Sequence, residues 1–472
     1  MAENDKVIKA GIGYTVGNYM LKGLSFLTVP VFARLLSPAD FGVFNKYLAY
    51  QCIVFLMVGM ALHTSLKNAK YKYGEKFAAY NSCCILIALL NLAVWLIVCN
   101  WAYAYYGEWI GFSRTIINLL LLDSFGTALI QFFNAYVGLD YKYTSFLKIS
   151  AFNALMNLGL SVLFILTLYQ DDRATGRIIG NALPVAMIAV YIIWDFWRQE
   201  RPAWNGEYAK YAVRYSLPLV PHGISQVILS QFDRIMIERM VGAAEAGIYS
   251  FAYTIFSIIN VTSTSLENVW GPWFYERMGK KDHEGIRKAS SKYAFGMLLF
   301  SAVVMLAAPE LVKILGTEEY RESMYSVIPI VIGGYFMFLC TFPSTVEYYH
   351  EKTKFIAVGT GAAAIINMVL NVICIQRFGY LAAAYTTLVT YLLYFIFHYG
   401  IAWRIMGRSI FATGKLIGYI LIAIGIGAVS LLLVEAWVLR LLLFAVLGIG
   451  FVLWAEKEFS LLERVKSKIH RG

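Results

Sequence analysis

The side chains of this chain that can do chemistry are polar groups set inside long apolar runs. Lys22 and Asp123 lie near the middle of two such runs. A charge at the centre of a lipid bilayer costs about 2.5–3.5 kcal/mol on insertion scales, and intramembrane charges usually mark a substrate path or an ion path. A structural alternative is that Lys22 and Asp123 form a buried ion pair that only fixes helix packing.

Other ionisable side chains lie nearer to the ends of apolar runs. Lys46, Arg234 and Glu267 lie within about one turn of an end, where a long side chain can reach the membrane interface. Asp233 is adjacent to Arg234 and therefore lies on a different face of the helix. His222 carries a side chain that ordinarily titrates near neutral pH, although an interhelical hydrogen bond is the simpler role for it.

Several polar residues recur at spacings of three and four, which places them on one face of a helix. Four runs carry such a stripe, and together they predict a polar path in the interior of a helix bundle. The stripes are Tyr14, Asn18, Lys22 and Ser25; Asp123, Thr127, Gln131 and Asn134; His222, Gln226, Ser230 and Asp233; and Tyr253, Ser257, Asn260, Thr264 and Glu267.

The composition indicates which elements position these stripes. Of the 472 residues, 59% are hydrophobic and 15% are charged, against about 45–50% and about 25% in ordinary soluble domains. Disorder is excluded because it requires few apolar residues. A disulfide scaffold is excluded because 6 cysteines are too few for this length. The sequence therefore predicts an all-α polytopic membrane protein.

A membrane span needs about 20 apolar residues, and the sequence contains about fourteen runs of that kind. Only Glu435 and Ala436 separate the last two runs, so these two could instead form one re-entrant pair. No loop between the runs is long enough to hold a soluble domain. The runs are 10–33, 43–66, 79–105, 113–137, 146–169, 176–197, 212–236, 246–271, 290–309, 325–347, 355–376, 379–402, 413–434 and 437–455.

The positions of lysine and arginine predict the orientation, because these residues concentrate in the cytoplasmic loops of membrane proteins. Placing the N-terminus inside puts most of the 40 basic residues into inner loops or the C-terminal tail. The reverse orientation would invert that bias, so we expect both termini in the cytoplasm. The net charge of +11 is then mainly a topology signal, and nucleic acid is not expected as a partner.

Two pairs of related segments indicate an internal duplication. Residues 34–44 and 239–249 share Arg, Ala and Gly at an offset of 205 positions, and Asn157 and Asn367 begin similar segments at an offset of 210. An even number of spans separates the copies, so both halves share one orientation, as in transporters built from parallel repeats. We expect a six-helix bundle over 1–200, a second over 201–405, and two additional helices with a basic cytoplasmic tail over 406–472.

The sequence lacks the usual signatures of catalysis and of cofactor binding. There is no G-x-x-x-x-G-K-[ST] loop, so nothing points to direct use of ATP. The 6 cysteines lie in apolar runs without the spacing of metal ligands. No cofactor is therefore expected, and nothing in the sequence resembles a nucleophile–base arrangement of an enzyme.

Motifs near the start of each half resemble a known family. In the first half they are Gly17-Asn18, Phe26-Leu-Thr-Val-Pro30 and Arg34-Leu-Leu-Ser-Pro-Ala-Asp-Phe-Gly42; in the second half they are Tyr215-Ser-Leu-Pro-Leu-Val-Pro221, Asp233-Arg234 and Gly247-Ile-Tyr249. In these segments the chain resembles the Wzx-type polysaccharide-unit flippases, which belong to the MATE-like exporter superfamily for drugs, oligosaccharidyl-lipids and polysaccharides.

The resemblance implies a V-shaped pair of six-helix bundles in the bacterial cytoplasmic (inner) membrane. It implies that the chain moves an undecaprenyl-pyrophosphate-linked oligosaccharide repeat unit of an O-antigen or exopolysaccharide to the outer leaflet by alternating access. Its implied partners are this glycan, the membrane lipids, a polysaccharide polymerase and a chain-length regulator. We further hypothesise that transport is coupled to H⁺ or Na⁺.

The polar residues fit the roles that this resemblance suggests. A pyrophosphate is anionic, and a cationic cavity would attract it; tyrosine and asparagine side chains can bind sugar hydroxyls. The substrate-binding candidates are Lys22, Lys46, Arg234, Asn18, Tyr253 and Asn260. The candidates for ion coupling are Asp123, Glu267, Asp233 and His222.

Four alternatives remain open at this point. A MATE-type ion-coupled drug exporter would share the fold, although a cavity for cationic drugs should not favour Lys22. A flippase for a peptidoglycan precursor is another close alternative, which the sequence does not exclude. A membrane-embedded polysaccharide polymerase or glycosyltransferase usually has a long outer loop or acidic loop motifs, and neither is present. A purely structural scaffold would not account for Lys22 and Asp123.

Overall fold

The computed structural model describes residue 23 and residues 26–140 and 142–459 of the chain. Within these ranges the regular structure is helical, with no strand. The α-helices are α1 (Phe26–Leu35, the described part of the first helix), α2 (Pro38–Gly59), α3 (Leu66–Tyr73), α4 (Phe77–Ile110), α5 (Arg114–Leu139), α6 (Tyr143–Thr167), α7 (Arg173–Gln199), α8 (Gly206–Ser216), α9 (Leu219–Met240), α10 (Ala243–Gly279), α11 (His283–Leu315), α12 (Ser323–Tyr349), α13 (Thr353–Phe378), α14 (Ala382–Met406), α15 (Thr413–Leu432) and α16 (Trp437–Phe459).

The predicted number of spans is confirmed. Eleven helical segments of the described chain are long and apolar enough to cross a membrane. The helices α9 and α10 are as long but more polar, and α1 is only partly described. These three complete the predicted set, so the chain is a multi-pass, all-helical membrane protein.

One predicted span is wrong: the run 212–236 contains the end of one helix and most of another. The short helix α8 begins after Asn205, whose side chain accepts hydrogen bonds from the backbone amides of Glu207 and Tyr208. The next helix, α9, begins just after Pro218. Proline has no N–H to donate, so it interrupts the helical hydrogen-bond ladder. Apolar content alone did not reveal this break.

The last two apolar runs form two separate helices rather than a re-entrant pair. The helix α15 has 20 residues and α16 has 23, and both meet the length and hydropathy of a membrane span. Both pack against α11. The two additional C-terminal helices predicted from the sequence are therefore confirmed.

The described residues form two compact units, which divide between Glu238 and Arg239. In unit 1, α2 packs against α5, α5 against α7, α6 against α7 and α4 against α5. In unit 2, α10 packs against α12, α12 against α14, α13 against α14 and α11 against α12. Equivalent helices thus meet in equivalent pairs, which confirms the duplication. The domain boundaries at residues 200 and 405 remain a prediction.

Contacts between loops show which loops of unit 1 share a side. The Nζ atom of Lys70 lies 2.6 Å from Oδ1 of Asp140, and Nζ of Lys142 lies 3.2 Å from Oδ2. The hydrogen bond from Lys70 is the main reason why the pKa of Asp140 is below its ordinary value. At another pair of loops, Arg173 donates to the carbonyl oxygen of Leu35 at 3.0 Å. Both contacts join loops that the alternation of spans places together. Which side faces the cytoplasm remains a prediction.

Close backbone approach between α6 and α7 generates a testable prediction. A Cβ atom on Gly180 of α7 would lie 2.6 Å from the backbone nitrogen of Ser161, whereas a Cβ atom on Gly159 of α6 would meet no atom within 4 Å. We expect Gly180→Ala to lower the free energy of unfolding by about 1–3 kcal/mol through overpacking. Chemical unfolding in detergent micelles, followed by tryptophan fluorescence, measures the change.

The matched control is Gly159→Ala, which should leave the stability unchanged or raise it by up to about 1 kcal/mol. Equal stability of the two variants would show that the α6–α7 interface is looser than described.

Candidate functional site

The centre of the candidate site is the carboxyl group of Asp123 in the interior of unit 1. The residue is fully buried on α5. Its Oδ2 atom accepts a hydrogen bond from the hydroxyl of Tyr47 on α2 at 2.9 Å and another from Nδ2 of Asn181 on α7 at 3.1 Å. The Oδ1 atom has no hydrogen-bond partner among the described residues. Half of this buried carboxyl group is therefore available to a proton or a cation.

A chain of side-chain amides links Asp123 to a buried guanidinium. Nδ2 of Asn157 on α6 donates to Oδ1 of Asn181 at 2.6 Å. Arg177 on α7 in turn donates from Nη1 to Oδ1 of Asn157 at 2.8 Å. Every donor in this chain points towards the carboxylate, so each hydrogen bond polarises the next. The arrangement couples an acid and a base through two neutral amides.

Arg177 lies near the start of α7, where a basic side chain ordinarily indicates a loop, but the structure buries it. Only 9% of it is exposed, and Nη1 also donates to Oγ of Ser161 at 2.6 Å. The guanidinium carbon lies 3.9 Å from the ring centroid of Phe32 and 4.3 Å from that of Phe44. Aromatic faces stabilise a guanidinium without taking its N–H groups. Arg177 is thus part of the buried interior of unit 1.

Small residues make this network geometrically feasible, because asparagine side chains are short. Gly126 of α5 faces Val185 of α7, and Gly180 of α7 faces Ser161 of α6. Neither glycine has a Cβ atom to separate the helices, so the backbones approach closely. Tertiary packing thereby brings polar groups from α5, α6 and α7 within hydrogen-bond distance.

The first two residues of the predicted polar stripe of α5, Asp123 and Thr127, face α2. Tyr47 bonds Asp123, and one turn later Nε2 of Gln51 donates to Oγ1 of Thr127 at 3.2 Å. Tyr47 and Gln51 are four residues apart on α2, and Asp123 and Thr127 are four residues apart on α5. This spacing is expected when one face of a helix contacts one face of another. The stripe is therefore an interhelical contact at Asp123 and Thr127.

Lys46 lies next to this network in sequence but belongs to a separate ion pair. Its Nζ atom lies 2.6 Å from Oε1 of Glu238 on α9 and 4.5 Å from the ring centroid of Phe112. Lys46 is 4% exposed. Its positive charge is thus balanced within unit 1.

The other predicted residues of unit 1 lie on α9. Arg234 and Asp233 are both buried; Arg234 bonds the side chain of Gln231, and its backbone amide donates to Asp233 at 2.9 Å. His222 is half-buried. Arg234 is therefore placed with polar neighbours on its own helix.

The predicted residues of unit 2 lie along α10. The hydroxyl groups of Tyr253 and Tyr249 are 3.3 Å apart, and Asn260 is exposed. Oε1 of Glu267 accepts hydrogen bonds from Ser263 at 2.8 Å and from Thr341 on α12 at 3.2 Å. Glu267 thus joins two helices, whereas Asn260 remains accessible.

Two predicted residues, Lys22 and Asn18, lie outside the described residues. Their roles, and the alternative of an ion pair between Lys22 and Asp123, remain predictions. Among the described residues no group of three or more His, Cys, Asp and Glu side chains is arranged to hold a metal ion.

Sequence reasoning missed a buried acid–imidazole pair in unit 2. Nδ1 of His398 on α14 lies 2.6 Å from Oε1 of Glu347 on α12, and both side chains are fully buried. Oε2 of Glu347 and Nε2 of His398 have no other partner in the described chain. The signal was present for His398, which follows Thr386, Thr390 and Tyr394 at spacings of four on α14. Asn181 was also missed, although it lies four residues after Arg177 on the same face of α7.

Comparison with known sequences connects this architecture to polysaccharide biosynthesis. The sequence model of the polysaccharide biosynthesis protein family matches residues 7–278, and the MatE model matches residues 218–373. Lsg locus putative protein 1 of Haemophilus influenzae is 23% identical over 356 residues, which cover 69% of this chain and 81% of that protein. An uncharacterized membrane protein of Methanocaldococcus jannaschii is 20% identical over 440 residues, covering 84% of each chain.

Solved structures share the fold. The lipid II flippase MurJ, in an inward closed conformation, superposes with a TM-score of 0.74 at 12% identity and covers 96% of this chain and 99% of its own. A multidrug resistance MATE family transporter of the MOP superfamily, in an inward-facing conformation, gives a TM-score of 0.67 at 15% identity over 82% of this chain and 94% of its own. The predicted MATE-like fold is therefore confirmed.

The buried network predicts energetic coupling between its two charged ends. We expect Asp123→Ala and Arg177→Gln each to lower the free energy of unfolding by about 1–3 kcal/mol, because each leaves buried groups without partners. The double variant should lose less than the sum of the single losses, by at least about 1 kcal/mol. Chemical unfolding in micelles measures all four proteins of the cycle.

Arg173→Gln is the matched control, since Arg173 is exposed one turn earlier on the same helix. Its effect should be small and should add to that of Asp123→Ala. Strict additivity of Asp123→Ala and Arg177→Gln would mean that the amide chain does not connect the two charges.

Proposed function

The chain belongs to the polysaccharide biosynthesis protein family, whose model matches more than half of it, and on this premise we propose that it is a lipid-linked oligosaccharide flippase. It would move an undecaprenyl-pyrophosphate-linked repeat unit across the cytoplasmic membrane by alternating access, for surface polysaccharide biosynthesis. The fold that it shares with the lipid II flippase MurJ supports this assignment. Flipping of a head group through the membrane involves no covalent step, so the proposed chain is a transporter and not an enzyme.

The observation that carries the proposal is the buried network from Asp123 to Arg177. Charged residues within a membrane are costly and face a protein interior or a water-filled cavity. At the equivalent helix contact of unit 2 the polar groups are neutral: Asn367 bonds Thr387 and Thr390 there. The carboxyl group of Asp123 can change its charge state during a transport cycle, whereas the guanidinium of Arg177 stays positive.

The proposed substrate carries a pyrophosphate, and cationic side chains are assigned to it. Lys22, Lys46 and Arg234 are the candidates proposed for this role. Lys46 is balanced by Glu238, so an incoming pyrophosphate would compete with that carboxylate for the ammonium group. Competition of this kind favours release as well as binding, which a transporter requires.

Polar uncharged side chains are proposed to bind the sugars. Asn18, Tyr253 and Asn260 are the candidates, and the exposed position of Asn260 on α10 supports its inclusion. Amide and phenol groups donate and accept hydrogen bonds, as sugar hydroxyls do. Contacts of this type tolerate different glycans, so these residues do not define which repeat unit is moved.

Coupling to an ion gradient is assigned first to Asp123. Its unpartnered Oδ1 atom can accept a proton or contribute to a cation site, and protonation would weaken the hydrogen bonds from Tyr47 and Asn181. Glu267, Asp233 and His222 are the further candidates. We propose H⁺ or Na⁺ as the coupling ion, both termini in the cytoplasm, and a polysaccharide polymerase and a chain-length regulator as functional partners.

Deletion and complementation test the proposed function. Loss of the gene should abolish the surface polysaccharide and accumulate lipid-linked repeat units on the cytoplasmic leaflet. Wild-type protein should restore export. Asp123→Asn should restore less than about a tenth of it, because the variant lacks the carboxyl group proposed for ion coupling; a tenfold loss corresponds to about 1.4 kcal/mol. Leaflet-specific chemical labelling of the glycans measures the orientation, and immunoblotting confirms equal amounts of protein.

The control is Arg173→Gln, which removes an exposed arginine and should complement fully. Normal surface polysaccharide together with altered drug sensitivity in the deletion strain would instead identify a MATE-type exporter. Accumulation of peptidoglycan precursor alone would identify the other close alternative.

Gradient dependence tests the coupling role separately. Transport of a lipid-linked oligosaccharide into vesicles should rise when an H⁺ or a Na⁺ gradient is imposed, and Asp123→Asn should remove that rise while retaining basal flipping. Glu267→Gln tests the second candidate, a partly exposed carboxylate of α10; loss of the rise in that variant alone would assign coupling to Glu267 instead of Asp123. Wild-type rates that respond to neither gradient would refute ion coupling but would leave the flippase assignment intact.

A further inference from the structure

A large cavity in unit 2 lies away from all the residues assigned to transport. It has a volume of about 970 Å³ and lies between the first turns of α11 and α15 and the last turns of α16. Four cationic side chains and two carboxylates line it, which leaves an excess of positive charge. These residues are Arg287, Lys288, Lys292, Lys415, Glu284 and Glu458.

The excess charge resides on Arg287 and Lys415. Both carboxylates of the cavity are already paired with the two lysines of α11. Arg287 and Lys415 form no ion pair with any residue in the described part of the chain, and both are exposed to the cavity. They come from different helices, α11 and α15, so an anion bound between them would bridge those helices.

Aromatic side chains form the wall beneath these charges. The ring centroid of Phe295 on α11 lies 5.6 Å from that of Tyr419 on α15 and 5.8 Å from that of Trp454 on α16. The hydroxyl of Tyr419 is 3.2 Å from Oγ of Ser291. Tyrosine and tryptophan have a polar hydroxyl or N–H group on an otherwise apolar ring, and such side chains are typical of the head-group level of a membrane.

A second, apolar cavity continues below the same aromatic wall. Its volume is about 230 Å³, and Trp454 lines both cavities. Its other lining residues include Leu266, Met297, Phe300 and Phe451. Along α11 and α16 the lining thus changes from charged to apolar within a few turns. A ligand that fills both cavities must be amphiphilic, with an anionic head and a hydrocarbon chain.

We propose that these cavities bind one anionic glycerophospholipid, with its phosphate between Arg287 and Lys415 and an acyl chain beside Trp454 and Phe451. The unbalanced cations favour a net negative head group over a zwitterionic one. The apolar cavity favours a lipid over a free phosphate ion. Basic pockets between membrane helices bind anionic lipids in this manner. The bound lipid would fasten α15 and α16 to α11, and this role is independent of the glycan that the chain transports.

Lipid binding to the delipidated full-length protein tests the proposal. Native mass spectrometry with added phosphatidylglycerol should show one tightly retained lipid, bound about tenfold or more tightly than phosphatidylcholine. Basic residues near the membrane surface favour binding of an anionic lipid. The double variant Arg287→Gln/Lys415→Gln should therefore lose most of the preference, and phosphatidylglycerol should raise its melting temperature less than that of the wild type.

The matched control removes two exposed lysines that do not line either cavity, Lys280 and Lys354. The variant Lys280→Gln/Lys354→Gln should retain the full preference for phosphatidylglycerol. Trp454→Leu probes the apolar half and should weaken binding of both phospholipids, because the wall shared by the two cavities is reduced.

Four outcomes would overturn the proposal, and the first three concern the head group. These three are equal affinity for phosphatidylglycerol and phosphatidylcholine, full competition by inorganic phosphate, and an unchanged preference in Arg287→Gln/Lys415→Gln. Stronger retention of a polyprenyl phosphate than of phosphatidylglycerol would also overturn it, since the cavities would then belong to the transport substrate.

Discussion

The absence of water from the hydrocarbon core of a membrane is the constraint on which this structure depends. A polar atom buried there must find its hydrogen-bond partner within the protein. In unit 1 the charges of Asp123 and Arg177 are carried on different helices, and two asparagine side chains fill the distance between them. Because those side chains are short, the helices must pack closely. The glycines at the α6–α7 and α5–α7 contacts allow this close packing. The hydrogen bonds of the polar chain depend on it.

The duplication preserved the packing of helices but not their charges. The pairs formed by α5, α6 and α7 recur as pairs formed by α12, α13 and α14, and Asn157 and Asn367 occupy equivalent helices. At the offset of 210 positions, however, Asp123 corresponds to Gly333 and Arg177 to Thr387. Unit 2 instead buries Glu347 and His398 elsewhere in its core. The two halves thus share their helix packing but bury different ionisable side chains.

The order of the spans, the two added helices and the burial of Asp123 could be predicted from the sequence, because apolar run length and helical spacing are local properties. Arg177 could not be predicted as a buried residue. It lies only four residues after the start of α7, where a basic side chain normally indicates a loop, and its burial depends on rings contributed by α1 and α2. The pair of Lys46 and Glu238 likewise joins residues 192 positions apart. Such contacts follow from tertiary packing, which a single sequence does not specify.

The surroundings of Arg177 have a mechanical consequence. Its N–H groups bond Asn157 and Ser161, while Phe32 of α1 and Phe44 of α2 lie against the guanidinium as aromatic rings. Hydrogen bonds are strongly directional, whereas the attraction between a cation and a ring acts over a broad range of positions within about 6 Å. The contact of α1 with Arg177 is therefore less directional than that of α6, although Arg173 of the same helix α7 holds the end of α1 through its hydrogen bond to Leu35. Arg177 is thus held in position by hydrogen bonds to α6. Its contacts with Phe32 of α1 and Phe44 of α2 are cation–ring contacts, which tolerate small shifts of the rings.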